Sequence, residues 1–318
     1  MRAFSLSHRR HARSFIQPLS IKKVRGLYQD RPPLPFTPGA ELAGTVIEVG
    51  PGVTSPPLGQ AVLAITQGGA FAFEAVVPAS ACVLLPPHTP LEDAAGLAVA
   101  YGTADLALLK AGVTAANGPT HTILVSGAGG GVGAAAVQLA LGAGARTIAL
   151  ARGPAKAAAL TALGAHAVLD PDALPPGCKR LRDAVAAAAG GPRKVTLFLD
   201  NVGGGLFEEG LRCLGWGGTA CVIGFASGKI PKIPANLLLL NACVVRGVYW
   251  GPSRLHEPAL FHASLTRLVT LLADRAITIP VSHRVPLERW REGWAALSER
   301  KTFGKVVLVC GGGGGSRL

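Results

Sequence analysis

The sequence predicts an α/β fold in which a doubly wound parallel sheet is joined to a smaller β domain. Three observations lead to this prediction. From residue 121 onward, short apolar strands alternate with helical segments, as is typical of a parallel sheet covered by helices on both faces. Over residues 43–77, short β-rich runs are broken by glycine and proline, which indicates a small antiparallel β domain. The first strand of the alternating region also runs directly into a glycine-rich turn.

The individual elements follow, in chain order, from the apolar pattern. The β-rich region contributes strands at 44–49, 61–65 and 71–77. The alternating region contributes six strands, at 122–125, 147–150, 166–169, 195–199, 219–223 and 243–249, and helices at 132–141, 154–163, 179–188 and 206–214. A helix at 258–273, a strand near Ile279, a helix at 287–297 and a strand at 305–309 are expected to return to the β domain.

Length and composition favour a globular protein of two domains. The chain has 318 residues, whereas a single domain usually has about 100 to 200. It is 49% hydrophobic and 15% charged, so it has enough apolar surface for a core and is not a disordered protein. The longest weakly polar stretch, 94–109, contains Asp105 and is shorter than a membrane span, so no transmembrane helix is expected.

The positive charge is concentrated at the start of the chain. The formal net charge is +13, and the first 25 residues hold seven basic residues and no acid. Residues 1–15 (MRAFSLSHRRHARSF) have the composition of a mitochondrial or plastid transit peptide. The alternatives are a disordered basic terminus, or a stretch that results from a wrongly chosen start codon. The rest of the chain is moderately basic, which suits an anionic ligand as well as nucleic acid.

The cysteines indicate an intracellular protein. The six cysteines include no CxxC pair and lie mostly in apolar runs, which predicts reduced thiols and a cytoplasmic or organellar location. The last eight residues, GGGGGSRL, have no apolar anchor and are expected to form a flexible tail.

The glycine-rich turn predicts a dinucleotide site. The segment SGAGGGVG (residues 126–133) follows a strand and precedes a helix, which is the context that separates a dinucleotide fold from an ordinary glycine-rich turn. Glycine allows a tight turn and close approach of a pyrophosphate to the helix N-terminus. The cofactor-binding residues expected here are Gly127, Gly130, Gly131, Val132 and Gly133.

The end of the second strand of this region favours NADPH over NADH. An acid at this position would bind the ribose 2'-hydroxyl, whereas a basic residue can pair with a 2'-phosphate. The sequence has Arg152 and Lys156 here and no acid before Asp170. The alternative is that both side chains only solvate the start of a helix.

Several ordered segments resemble one known family. They are residues 26–44 (GLYQDRPPLPFTPGAELAG), 126–133, 199–204 (LDNVGG), 222–240 (VIGFASGKIPKIPANLLLL) and 304–308 (GKVVL). Together they are similar to the zeta-crystallin type of NADPH:quinone oxidoreductase, in the medium-chain dehydrogenase/reductase superfamily, over about residues 24–309.

The resemblance implies a domain plan and an assembly. A GroES-like β domain at 24–100 would be followed by a Rossmann NADPH-binding domain at 101–245 and by a return to the β domain at 246–310. A basic segment at 1–23 and the tail at 311–318 would flank them. Members of the family are usually homodimers or homotetramers. Relatives begin with about two more strands, and here a basic stretch runs directly into Val24, so the β domain is expected to be truncated by a strand pair.

The resemblance also implies site residues. Tyr28 would lie in the substrate site, unless it is only an aromatic at its rim, and Tyr101 and Thr103 would lie near the nicotinamide. Loops at the carboxyl ends of the fourth and fifth strands would contribute to the cofactor site, since ligands of open α/β sheets bind at that edge. These loops hold Asn201, Gly224, Phe225 and Asn236, the last of which could instead cap the following helix.

No metal site is expected. Zinc-dependent relatives have Gly-His-Glu where this chain has Gly39-Ala40-Glu41, and the histidines show no ligand spacing. The expected activity is therefore NADPH-dependent, zinc-independent reduction of quinones or conjugated alkenes by hydride transfer. The alternatives are an enoyl-thioester reductase, or a catalytically impaired NADPH-binding protein. No aromatic-rich RNA signature is present, so any RNA affinity would be non-specific and dominated by phosphate contacts.

Overall fold

Two units of the chain can be described separately. The computed structural model describes residues 3–7, 13–27 and 31–310. Contacts divide the chain into a first unit, Met1–Val99 with Leu265–Leu318, and a second unit, Ala100–Ser264. The tail at 311–318 lies outside the described residues.

The elements are numbered in chain order. The strands are β1 Ala3–Ser7, β2 Arg13–Ile16, β3 Glu41–Val49, β4 Ala61–Ile65, β5 Glu74–Pro78, β6 Cys82–Leu84, β7 Thr122–Val125, β8 Arg146–Leu150, β9 Ala167–Leu169, β10 Val195–Asp200, β11 Leu214–Val222, β12 Val244–Gly247, β13 Val281–Pro286 and β14 Lys305–Val309. The helices are α1 Pro18–Val24, α2 Leu91–Ala95, α3 Ala98–Lys110, α4 Gly131–Gly142, α5 Pro154–Ala162, α6 Leu181–Ala189, α7 Gly204–Leu211, α8 Ala235–Asn241, α9 Trp250–His256, α10 Pro258–Ala273 and α11 Trp290–Ser298.

The first unit is built on a mainly antiparallel sheet. Its strand order is β13-β14-β2-β3-β1-β5, and β4 pairs with β3 and β6. The β13–β14 pair is parallel. The return of the chain after the second unit supplies β13, α11 and β14, whose apolar residues pack with Ile16 of β2. The strand expected near Ile279 begins at Val281.

The N-terminal residues correct the prediction of a missing strand pair. β1 pairs with β3 and β5, and β2 pairs with β14 and β3, so both strands belong to the sheet. In β2, Ser14, Phe15 and Ile16 are buried, which shows that this stretch is a sheet strand despite its basic neighbours. Because the segment is rich in arginine, it was interpreted as a basic stretch and its two short strands were not predicted.

The second unit is a doubly wound parallel domain, as predicted. All six strands are parallel, in the order β12-β11-β10-β7-β8-β9. The chain runs outward from β7 to β9 and then crosses back to β10, so the strand order reverses between β7 and β10. Ligands of such sheets bind outside the carboxyl ends of the strands at this reversal. The core beneath it includes Phe198 and Phe207, whose ring centroids lie 5.9 Å apart.

Several boundaries differ from the sequence prediction, including three in the second unit. β11 begins at Leu214, because Gly217, with φ +70°, lets the GWGG segment continue as an irregular strand where turn residues predicted a loop. The helix expected over 206–214 accordingly ends at Leu211. The second unit extends to Ser264, beyond the expected 245, because α9 and the start of α10 pack on α3: Lys110 Nζ, for example, lies 2.8 Å from Glu257 Oε1.

The six cysteines are unpaired. Burial raises the pKa of Cys82 and Cys213 to about 12, and that of Cys221 and Cys310 to about 11. In the described part of the chain, no helix is long and apolar enough to cross a membrane.

Candidate functional site

The glycine turn joins β7 to α4 at the carboxyl edge of the parallel sheet. Gly127 has φ +60°, a conformation that few side chains tolerate, and its carbonyl accepts a 3.0 Å hydrogen bond from the amide of Gly130. Gly130 is the N-cap of α4. The amide groups of the first helical turn, including those of Gly131 and Val132, have no partner within the helix, so this end can bind an anion.

Gly133 lets α4 approach the turn closely. A Cβ atom added at Gly133 would lie 2.6 Å from Ala128 Cα and would also strike the carbonyl oxygen of Gly127. Both contacts are with backbone, which cannot rotate away. Gly133 therefore allows α4 to lie close to the turn, which fixes the helix N-terminus at the strand end.

Asp200, at the end of β10, organises the neighbouring loop. Its Oδ1 accepts a 2.5 Å hydrogen bond from Ser126 Oγ, and its Oδ2 accepts a 2.8 Å bond from the amide of Gly203. Burial raises the pKa of this carboxyl group, and the hydrogen bonds from Ser126, Gly203 and Val202 partly offset that rise. Asp200 is a site residue that was not predicted, although an acid that follows a buried strand and precedes two glycines marks such a loop.

Asn201 ties the two central strands together. Its Nδ2 donates a 3.0 Å hydrogen bond to the carbonyl of Ser126, and its amide donates a 3.0 Å bond to Ser126 Oγ. Asn201 thus lies at the strand reversal, beside the glycine turn. Its side-chain nitrogen holds backbone in this structure, so it builds the edge on which a cofactor would rest.

The loop after β11 lies against the loop after β10. The amide of Gly224 donates a 3.3 Å hydrogen bond to the carbonyl of Asp200. Phe225 follows, and the amide of the next residue, Ala226, donates a 3.1 Å hydrogen bond to the carbonyl of Asn201. Asn236 is exposed in the first turn of α8. That helix has Pro234 as its N-cap, with no side-chain cap bond, so Asn236 does not cap it.

Arg152 and Lys156 have different surroundings. Arg152 follows β8, and its Nε lies 2.5 Å from Asp172 Oδ2 while its Nη2 lies 3.3 Å from Oδ1. This pairing raises the pKa of Arg152. The side chain of Lys156 lies over the glycine turn, since a Cβ atom added at Gly129 would be 2.8 Å from Lys156 Cδ. Asp172 was not predicted as a partner of Arg152, because it follows the third strand of the sheet and not the second.

Two of the three candidate catalytic residues, Tyr101 and Thr103, lie in the same helix, α3. Tyr101 is buried in α3, and its hydroxyl accepts a 2.7 Å hydrogen bond from Gln138 Nε2 of α4. Thr103 is also buried in α3. Tyr28 lies outside the described residues. Tyr101 therefore connects α3 to the helix that carries the glycine turn.

Glu41, next to Ala40, lies in a buried polar cluster of the first unit. Its Oε1 accepts hydrogen bonds from Lys305 Nζ at 3.0 Å and from Gln17 Nε2, and its Oε2 accepts a 2.7 Å bond from the amide of Val99. Glu41 is fully buried and Lys305 is 6% exposed. Within residues 3–7, 13–27 and 31–310, no three histidine, cysteine or acidic side chains are grouped so as to hold a metal ion.

Two family models match the chain. The model described as "Alcohol dehydrogenase GroES-like domain" matches residues 12–87, and that described as "Zinc-binding dehydrogenase" matches residues 131–265. The first match begins close to β2, in agreement with the strands found there.

Curated relatives match most of the chain. A quinone oxidoreductase-like protein 2 homolog from Nematostella vectensis is 36% identical over 91% of this chain and 77% of the relative. The quinone oxidoreductase-like protein 2 of Mus musculus is 34% identical over 91% of this chain and 80% of the relative.

Solved structures show the same architecture. The quinone oxidoreductase from Thermus thermophilus, described also in its complex with NADPH, is 30% identical with a TM-score of 0.78, and the match covers 96% of this chain and 91% of that one. A probable oxidoreductase from Mycobacterium abscessus is 28% identical with a TM-score of 0.83, over 97% and 90% of the two chains.

Proposed function

Since the chain belongs to the zinc-independent, quinone oxidoreductase-type branch of the medium-chain dehydrogenase/reductase superfamily, we propose that it reduces quinones or activated alkenes with NADPH. Its family makes it an oxidoreductase. The observation that carries the choice of cofactor is the glycine turn at the strand reversal, bordered by Arg152 and Lys156. Family relatives of known structure have been solved with NADPH.

The residues at this edge suit a dinucleotide phosphate. The first turn of α4 offers amide groups to the pyrophosphate, and Gly133 keeps that turn close to the strand end. Arg152 and Lys156 supply positive charge where a 2'-phosphate would lie. Asp200 and Asn201 hold the loops that flank the strand reversal. Together they support NADPH as the bound cofactor.

The protein's part in the reaction is to orient the reactants and exclude water. Bound NADPH would supply a hydride to an electron-poor carbon, as in a quinone or a conjugated enone. Thr103 and Tyr28 are proposed to lie near the nicotinamide and the substrate. Tyr101 is proposed to act by positioning, because its hydroxyl is already bonded to Gln138 of α4. Ala40 stands where zinc-dependent relatives carry an imidazole, so no metal ligand is proposed there.

A cofactor titration followed by a substrate panel tests the proposal. We expect the purified chain to bind NADPH more tightly than NADH and to oxidise NADPH with a benzoquinone or an enone. Binding is measured by nicotinamide fluorescence and turnover by absorbance. Turnover with an enoyl thioester alone would instead support the alternative reductase activity. NADPH binding without turnover of any acceptor would support the impaired binding protein, whose main motivation, a missing strand pair, no longer holds.

We also propose a homodimer formed along the free edge of the parallel sheet. β12 pairs only with β11 in the described sheet, which leaves its outer backbone groups for another strand. Large apolar side chains on β12 and the preceding helix α8 are exposed, namely Leu239, Leu240 and Val244. Exposed apolar groups beside a free strand edge favour pairing with a second copy.

Placing charge on this edge is expected to dissociate the dimer. A Leu240→Asp, Val244→Asp double variant would bury two carboxylates in the interface, so light scattering after size-exclusion chromatography should give half the wild-type mass. Leu58→Asp, at an exposed leucine of the first unit, is the control and should leave the mass unchanged. A wild-type monomer, or a double variant that remains a dimer, would contradict this interface.

A further inference from the structure

Four charged residues follow β8 and β9, and two of them, Arg152 and Asp172, form an ion pair. Arg152 and Lys156 follow β8, and Asp170 and Asp172 follow β9. Counted together, these side chains carry no net charge, although the sequence around β8 alone has two cations and no acid. The preference for a 2'-phosphate therefore depends on which groups the carboxylates of Asp170 and Asp172 bind.

Both carboxylate oxygens of Asp170 accept hydrogen bonds from backbone amides. Its Oδ2 accepts a 2.8 Å hydrogen bond from the amide of Gly153, and its Oδ1 accepts a 2.9 Å bond from the amide of Asp172. These bonds join the turn after β8 to the turn after β9. As a result, the side chain of Asp172 is set opposite Arg152.

Asp172 occupies one of the two binding edges of Arg152. A guanidinium group can bind an oxyanion through its Nε and one Nη2 hydrogen, or through its two Nη atoms. The carboxylate of Asp172 takes the first edge, at 2.5 Å and 3.3 Å. While this pair is formed, a 2'-phosphate must therefore use the remaining edge of the guanidinium group.

We propose that Asp172 is a specificity-determining residue that reduces the preference for NADPH over NADH by competing with the 2'-phosphate for Arg152. The proposal rests on the proposed use of NADPH. Lys156, which lies on the glycine turn, would then carry the larger share of phosphate recognition. The competition is modest, because the side chains of Arg152 and Asp172 are 49% and 65% exposed and water screens their pairing.

A double-mutant cycle in the full-length chain tests this role. We compare Asp172→Asn, Arg152→Ala and the combined variant with the wild type, and measure the Kd of NADPH and of NADH for each at low ionic strength. Asparagine keeps the shape of the side chain and removes its charge. Asp183→Asn is the matched control, since Asp183 is a similarly exposed acid beside Arg182 at 3.7 Å, on α6.

Asp172→Asn is expected to tighten NADPH binding about two- to fivefold, the range of an exposed ion pair, and to leave NADH binding unchanged. In the Arg152→Ala background, Asp172→Asn should not change the Kd of NADPH, because the guanidinium group for which Asp172 and the 2'-phosphate compete has been removed. Asp183→Asn should change neither Kd.

Three results would overturn the proposal. Unchanged NADPH binding in Asp172→Asn would mean that the pair does not affect selectivity. Weaker binding would mean that Asp172 positions Arg152 for the phosphate. An equal gain in the Arg152→Ala background would mean that Asp172 repels the phosphate directly. The wild-type ratio of NADPH to NADH affinity separately tests the proposed cofactor, so the two failures are distinguishable.

Discussion

Lys305→Ala is expected to lower the free energy of unfolding by about 3 to 5 kcal/mol, because it leaves a buried carboxylate without its cation. Lys305 and Glu41 are both buried, with Nζ and Oε1 3.0 Å apart. Gln17 and the amide of Val99 also donate to the same carboxylate. Neither of these neutral donors can replace the positive charge of the lysine.

Chemical denaturation with a fluorescence readout measures this loss. Lys301→Ala is the control, because Lys301 pairs with Glu299 at 2.6 Å but both side chains are more than half exposed. Its removal should change the unfolding transition little. A Lys305→Ala variant as stable as Lys301→Ala would show that the buried pair adds little to the stability of the fold.

Gly133→Ala is expected to weaken the binding of NADPH and NADH alike by more than about a hundredfold, or roughly 2.7 kcal/mol. The added methyl group would meet the backbone of Gly127 and Ala128, so α4 could not approach the turn and its amides would leave the phosphate site. The loss of both nucleotides distinguishes this effect from that of Arg152→Ala, which should act mainly on NADPH.

Gly142→Ala provides a control in the same helix. A Cβ at Gly142 meets no atom within 4 Å, and alanine favours helix over glycine, so that variant should fold and bind normally. Circular dichroism confirms that both variants are folded before nucleotide fluorescence is titrated. Wild-type affinity in Gly133→Ala would refute the assignment of this turn as the nucleotide site.

The parallel domain could be predicted because its signals are local. The strand-to-helix alternation and the glycine spacing lie within a few residues of one another, and the structure has the six strands in the expected region. β1 and β2 were missed because a short strand leaves little periodicity and the surrounding arginines dominated the composition. The helix α3 was missed for a related reason, since it is apolar on all sides and shows no helical period.

The candidate site was harder to predict, because its partners are distant in sequence. Asp172 lies 20 residues after Arg152, just beyond the next strand, and Lys305 lies 264 residues after Glu41. No local pattern joins such pairs, since only the strand order brings them together. Tyr101 was assigned to the surroundings of the nicotinamide because the chain resembles a known family. Its hydrogen bond to Gln138 depends on the packing of α3 against α4, which no local sequence pattern predicts.

Thiol burial has a consequence if the substrates are electrophiles, as proposed. Quinones and conjugated alkenes alkylate proteins by adding to thiolates, because the thiolate and not the thiol is the nucleophile. Burial raises the pKa of Cys82 and Cys213 to about 12 and that of Cys221 and Cys310 to about 11, so these groups stay protonated near neutral pH. The fold thereby protects four of its own cysteines from self-inactivation by the class of molecule it is proposed to reduce.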